Sequence, residues 1–170
     1  EWWGNYLSVA DWADLWIHEG FAVYAEALYL EEKYGKDEYN KFFRTRMLKN
    51  IPRSQPVVPQ RNASMQLVSG LDPYNKGAYV LHMLRYLIGD KIFFEILSEF
   101  PHTKKKLPNN QVSSKDLIDF VHKKHGKNLD WFFNVYLFEK EYPILIKKTK
   151  HGSNHTFMEF RWKNKNFEMP

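Results

Sequence analysis

Asp11-Trp12-Ala13-Asp14-Leu15-Trp16-Ile17-His18-Glu19-Gly20-Phe21-Ala22-Val23-Tyr24 begins the strongest helical segment of this chain. The pattern continues to Tyr34, and Gly35 then supplies a helix stop. Leu15, Glu19, Val23, Glu26 and Leu30 recur at spacings of three and four, which puts them on one helix face. Two carboxylates therefore interrupt an otherwise apolar stripe. Two turns separate Glu19 from Glu26, about 10 Å along the axis. A carboxylate carried into apolar surroundings is costly unless it is paired or binds a metal. On a solvated face the same two residues carry no chemistry, and periodicity alone leaves both readings open.

Outward from this helix the chain stays mostly helical. Glu1 to Tyr6 is short and aromatic, and Gly4-Asn5 reads as a helix end. Asp37 can cap a further helix reaching about Asn50, with Tyr39, Phe43 and Met47 inward. Pro52, Pro56 and Pro59 then impose an irregular loop to about Asp72. Loops of that length in compact domains are often functional. Pro73 precedes a helix from Tyr74 to Ile88, Gly89 ends it, and another runs from Asp90 to Phe100. Ser113-Ser114-Lys115-Asp116 contains a capping-box pattern for a helix that ends near Gly126. Asp130 can cap a last aromatic helix, Trp131 to Phe138. After Pro143 the period changes to two. Ile144-Leu145-Ile146 and Thr156 to Lys163 read as strands joined by a turn at His151-Gly152-Ser153-Asn154. The expected fold is mainly α, with residues 1–142 forming a helical unit and 143–170 the first strands of a following β domain.

Composition narrows the function. Apolar residues make up 44% and aromatic residues 17% of the chain, enough for a sizeable core and against intrinsic disorder. There is no cysteine, so disulfides and thiolate zinc sites are excluded and any metal must take His, Asp or Glu. The net charge is +5, with lysines gathered at Lys104-Lys105-Lys106 and Lys147-Lys148. No nucleic-acid module accompanies these runs, and they read as solvated surface. No apolar run reaches transmembrane length. The chain starts with Glu in what reads as the middle of a helix, and the expectation is a piece of a longer parent. None of the histidines, His18, His82, His102, His122, His125, His151 and His155, shows paired ligand spacing on one helix face. His122 and His125 flank Lys123-Lys124 and are expected to be exposed. Tyr74 stands at a helix start after the long loop, in Asp72-Pro73-Tyr74-Asn75-Lys76-Gly77. A phenol there can donate a hydrogen bond to an oxyanion, or serve as one more packing tyrosine.

Three strings in order carry a family resemblance: Glu1-Trp2-Trp3-Gly4-Asn5, Trp16-Ile17-His18-Glu19-Gly20-Phe21-Ala22-Val23-Tyr24, and Pro73-Tyr74-Asn75-Lys76-Gly77. Together they resemble the zinc aminopeptidases of the aminopeptidase N and leukotriene hydrolase type, which are gluzincins. That pattern is His-Glu-x-x-His, eighteen intervening residues, then a ligating Glu in an Asn-Glu-Gly-Phe-like segment. Here eighteen residues, Glu1 to His18, precede Glu19, so a histidine just before Glu1 completes the spacing. Asn128-Leu129-Asp130-Trp131-Phe132-Phe133 is similar to the last helix of the family's catalytic domain. Tyr142-Pro143 and Phe160-Arg161-Trp162 are similar to the start of its β-sandwich. His18 replaces the more usual Asn.

The resemblance implies the helical lobe of a thermolysin-like zinc peptidase domain, ending in β strands. It implies Glu19 as the third zinc ligand and Glu26 as a carboxylate hydrogen-bonded to a ligand histidine, which fixes that ring's tautomer and orientation. It implies Tyr74 as the hydroxyl that stabilises the tetrahedral intermediate. Zinc held by two imidazoles and a carboxylate keeps an open position for water, which it acidifies. The implied partners are peptides with a free N-terminus and the remainder of the parent catalytic domain. Nucleic acid and a transmembrane segment are not among the implied partners. Export from a bacterium, to periplasm or medium, is the implied location. The His-Glu-x-x-His motif and the amine-binding Gly-x-Met-Glu-Asn segment are both absent. The chain alone is therefore expected to bind zinc weakly and to hydrolyse nothing. The rival from another class is a catalytically dead helical scaffold for a protein partner, which needs neither Glu19 nor Tyr74.

Overall fold

The structure is a computed structural model that describes residues 2–47, 55–69, 72–103 and 110–170. Glu1, the end of the helix expected after Asp37, the start of the proline loop and residues 70 and 71 near its end, and the Lys104-Lys105-Lys106 run lie outside the described residues.

A two-residue strand β1 (Ser8–Val9) and a 3-10 turn (Trp12–Asp14) lead into α1 (Trp16–Tyr34). The Asp11 side chain accepts from the Ala13 amide and caps that turn. α2 (Lys36–Phe42) runs on into a π-helical turn, Phe43–Met47. The proline loop holds a short helix, α3 (Met65–Ser69), that the expected irregular loop did not contain. α4 (Asn75–Ile88) and α5 (Asp90–Glu99) follow. β2 (Gln111–Val112) pairs in parallel with β1, Ser8 against Gln111 and Val9 against Val112. α6 (Ser114–His125) carries the expected capping box, with Ser113 and Asp116 bonding each other's backbone. Gly126 ends it in the left-handed conformation, at φ 78°, which costs a residue without Cβ little. α7 (Asp130–Phe133) passes into a π-helical turn, Asn134–Phe138. The chain closes with an antiparallel hairpin of β3 (Leu145–His151) and β4 (Thr156–Trp162). The mainly α fold with C-terminal strands is as expected.

The buried face of α1 differs from the expected stripe. Trp16, Ile17, Gly20, Phe21, Val23, Tyr24 and Ala27 are buried. Glu19 and Leu30 are half-buried and Glu26 is exposed. The large aromatic side chains set which side turns inward, because they bury the most apolar area per residue. They pack into a core with Phe93, Phe100, Phe132 and Phe133. His122 and His125, expected to be exposed, are both half-buried. The C-terminal tail folds back: Phe167 and Met169 are buried, the Phe167 ring lies 5.4 Å from Trp131, and Trp162 donates to the Met169 carbonyl at 2.7 Å.

Candidate active site

α1 and α4 cross at a pair of glycines. A Cβ on Gly20 meets the Gly77 Cα and carbonyl carbon at 2.9 Å and the Pro73 oxygen at 3.1 Å. A Cβ on Gly77 meets the Gly20 Cα at 3.1 Å. No side chain fits between the two backbones. Glu19 precedes one glycine and Tyr74 lies one turn before the other, so the crossing that excludes side chains brings these two together.

Tyr74 is 45% exposed at the N-terminus of α4. The Glu19 carboxylate lies beside its hydroxyl, near enough to act on the phenol. Burial raises the phenol above its ordinary value, and the neighbouring Glu19 raises it further. Tyr74 thus stays a protonated donor at neutral pH. Asp72 accepts from the Asn75 amide at 2.7 Å and satisfies one free donor of the helix start. Glu26 lies two turns along α1 and is exposed. Of the three residues singled out in the sequence, Glu19 and Tyr74 are the two brought together.

His18 precedes Glu19 on the same turn. Its ring packs over Gly4, and burial lowers its pKa, with Glu19 opposing. A cleft of about 440 Å³ opens beside it, between Ser8–Trp12, Asn62 and Ala63. The wall of this cleft is tied down by carboxylates. Asp14, 1% exposed, accepts from Arg61 and from the Ser114 amide and hydroxyl at 2.9 and 2.7 Å. Trp16 donates to the same Ser114 hydroxyl at 2.8 Å. Asp11 accepts from the Asn62 amide at 2.7 Å. The loop, α1 and α6 are thereby joined around the Glu19 helix.

Sequence reading missed Lys76, which is 2% exposed, and Arg85, 7% exposed. Arg85 on α4 donates to Glu31 on α1 and to Asp90 on α5. A charged residue inside an apolar helical stripe was the available signal for both. As a metal site the described residues do not suffice: no group of three or more His, Cys, Asp or Glu is placed to hold an ion. Glu19 suits one ligand position and the described residues do not complete it.

Against known proteins, residues 1–136 match the Peptidase family M1 domain. The chain is 24% identical over 159 residues to aminopeptidase M1 of Arabidopsis thaliana, covering 89% of this chain and 18% of that protein. It is 30% identical over 116 residues to human aminopeptidase N, covering 61% of this chain and 12% of that one. It therefore spans less than a fifth of the curated relatives cited here. Among solved structures, aminopeptidase A of Legionella pneumophila, in complex with aspartic acid, superposes with a TM-score of 0.77 at 22% identity, over 96% of this chain and 18% of that one. An M1 zinc metallopeptidase of Deinococcus radiodurans superposes at 0.68 with 29% identity, over 84% of this chain and 31% of that one. A match over residues 1–136, in a chain whose glycine crossing sets Glu19 beside Tyr74, leads to one conclusion: this chain belongs to peptidase family M1.

Proposed function

We propose that the chain supplies one side of the catalytic site of a zinc-dependent aminopeptidase. The observation that carries this reading is the glycine crossing that sets Tyr74 beside Glu19. Glu19 contributes one anionic oxygen donor to zinc. Tyr74 keeps its proton and aims it at the place where negative charge develops on the attacked carbonyl oxygen. The exposed Glu26 is the carboxylate we assign to orienting a ligand histidine outside this chain. Zinc, when bound, supplies a polarised water. Two further ligands and a general base come from residues beyond those described, so the 170-residue chain alone turns nothing over. Residues 143–170 open a separate β domain in this reading.

The test is made on the whole protein that carries this chain, with an aminoacyl-anilide substrate. Glu19→Ala removes zinc and activity together. Tyr74→Phe keeps zinc and lowers kcat by about 10²–10³, the usual loss for one oxyanion donor. Full activity and zinc content in Glu19→Ala instead favours the dead-scaffold alternative. Zinc-dependent turnover by the isolated chain contradicts its expected inactivity.

A further inference from the structure

Lys76 is a lysine almost wholly removed from water, two residues beyond Tyr74. Lysines are seldom buried this far without a compensating partner. Among the described residues its hydrogen-bond acceptors are main-chain carbonyls, Gln55 at 2.5 Å and Lys140 at 3.4 Å. The Tyr142 ring centroid lies 5.2 Å from the ammonium. Burial lowers its pKa to about 8, with the Asp72 charge opposing. The two carbonyls belong to different segments. Gln55 leads into Val57 and Val58, whose amides both donate to the Leu137 carbonyl at 2.9 Å. Lys140 follows the last helical turn. One ammonium thus joins the proline loop, the chain after the last helical turn and the first turn of α4.

The helical geometry gives this clamp a direction. Two residues correspond to about 200° around an α-helix, so Lys76 leaves α4 on the side away from Tyr74. Gly77 seats the same turn on Gly20. The turn that carries the phenol is held from the front by the glycine crossing and from the back by Lys76.

We propose that Lys76 is the positioning residue for Tyr74: by anchoring the first turn of α4 to the carbonyls of Gln55 and Lys140, it holds the phenol over Glu19. This rests on the reading of Tyr74 as the oxyanion donor. An ammonium suits the task because charge-assisted hydrogen bonds are short and strong. Its three donors can also serve carbonyls from two segments at once.

A double-mutant cycle in the whole zinc-loaded protein separates this from a merely structural role. Lys76→Met keeps the length of the side chain and removes its donors. The expected result is a fall in kcat of about 10²-fold, as for a roughly 1 Å misplacement, with KM and zinc content held within about two-fold. In a Tyr74→Phe background the same substitution lowers kcat by less than about two-fold, because no hydroxyl remains to be positioned. Lys76→Gln retains two uncharged N–H donors and gives an intermediate loss that also vanishes in the Tyr74→Phe background. Equal losses with and without the Tyr74 hydroxyl overturn the assignment, as does a rise in KM at constant kcat. Loss of the folded state in both Lys76 variants, read by circular dichroism, makes Lys76 a stability residue and also overturns it. An unchanged kcat in Tyr74→Phe, with Lys76 intact, instead sinks the reading of Tyr74 on which this one stands.

Discussion

His82 on α4 is enclosed by groups from α1, α2 and its own helix. Its ring stacks on Phe43, centroids 4.1 Å apart. Its Nδ1 shares a hydrogen bond with the Tyr39 hydroxyl at 2.8 Å, and Tyr39 shares another with the Tyr24 hydroxyl at 3.0 Å. The Arg85 guanidinium stands near Tyr24 at the head of this chain. Burial and then the Arg85 charge lower the His82 pKa, against the opposing charge of Glu31, to about 4. The ordinary value is 6.5, so between pH 6.5 and 4 the unfolded chain binds this proton and the folded one does not. The neutral ring's stabilisation is complete above pH 6.5 and is lost as the pH falls towards 4. Urea unfolding over that range is expected to lose stability at up to about 1.4 kcal/mol per pH unit from this residue. His82→Gln removes about one proton's worth of that slope, and identical slopes in both proteins contradict the assignment. Arg85 is the other residue whose loss is felt. Arg85→Met strands Glu31 and Asp90. The expected cost is about 2–4 kcal/mol, below the full penalty for a buried pair because Asp90 is largely exposed. A change under about 0.5 kcal/mol in denaturant unfolding contradicts it.

Between elements, the α1–α4 crossing decides the geometry. Two helices meet backbone to backbone only where both present glycine, and Gly20 and Gly77 do so. Gly20→Ala puts a methyl 2.9 Å from backbone atoms that no rotamer change can move. The helices must separate, and overpacking of this kind typically costs about 1–3 kcal/mol. Separation also draws Tyr74 away from Glu19, so the phenol is expected to titrate closer to its ordinary value. Thermal unfolding checks the first effect, and carbon NMR of labelled tyrosine checks the second. An unchanged Tyr74 titration in a destabilised Gly20→Ala variant dissociates the crossing from the placement of the phenol.

Across the whole molecule, the hairpin stands apart from the helical core in burial. Leu145, Met158 and Phe160 share one of its faces and all are exposed. Trp162, next to the tail residues Phe167 and Met169, is its link to the helices. Amides of β3 and β4 are expected to exchange with deuterium at least about 10²-fold faster than those of α1 and α4, which lie across the core. Equal protection in hairpin and α1 indicates one cooperative unit and argues against a domain boundary near residue 143.

Helix positions were largely legible from residue order. The Gly35, Gly89 and Gly126 stops and the Ser113 capping box are contests between adjacent backbone groups, settled within one turn of chain. Glu19 and Tyr74 were legible only through the family pattern, since spacing left each with an unremarkable alternative. The direction in which α1 buries itself was only partly legible: Leu15 and Val23 of the expected stripe are buried, but Trp16, Ile17, Phe21 and Tyr24 repeat with the same period and turn the helix so that Glu26 is exposed. Nor was the Asp14 bond to Ser114, which joins residues 100 apart. The reason for the Gly20–Gly77 pair and for Lys76 also appears only when α1, α4, the proline loop and the last helical turn are assembled. Capping and periodicity act along the chain. Close approach, burial of charge and the meeting of Glu19 with Tyr74 depend on distances across it, and only packing sets those.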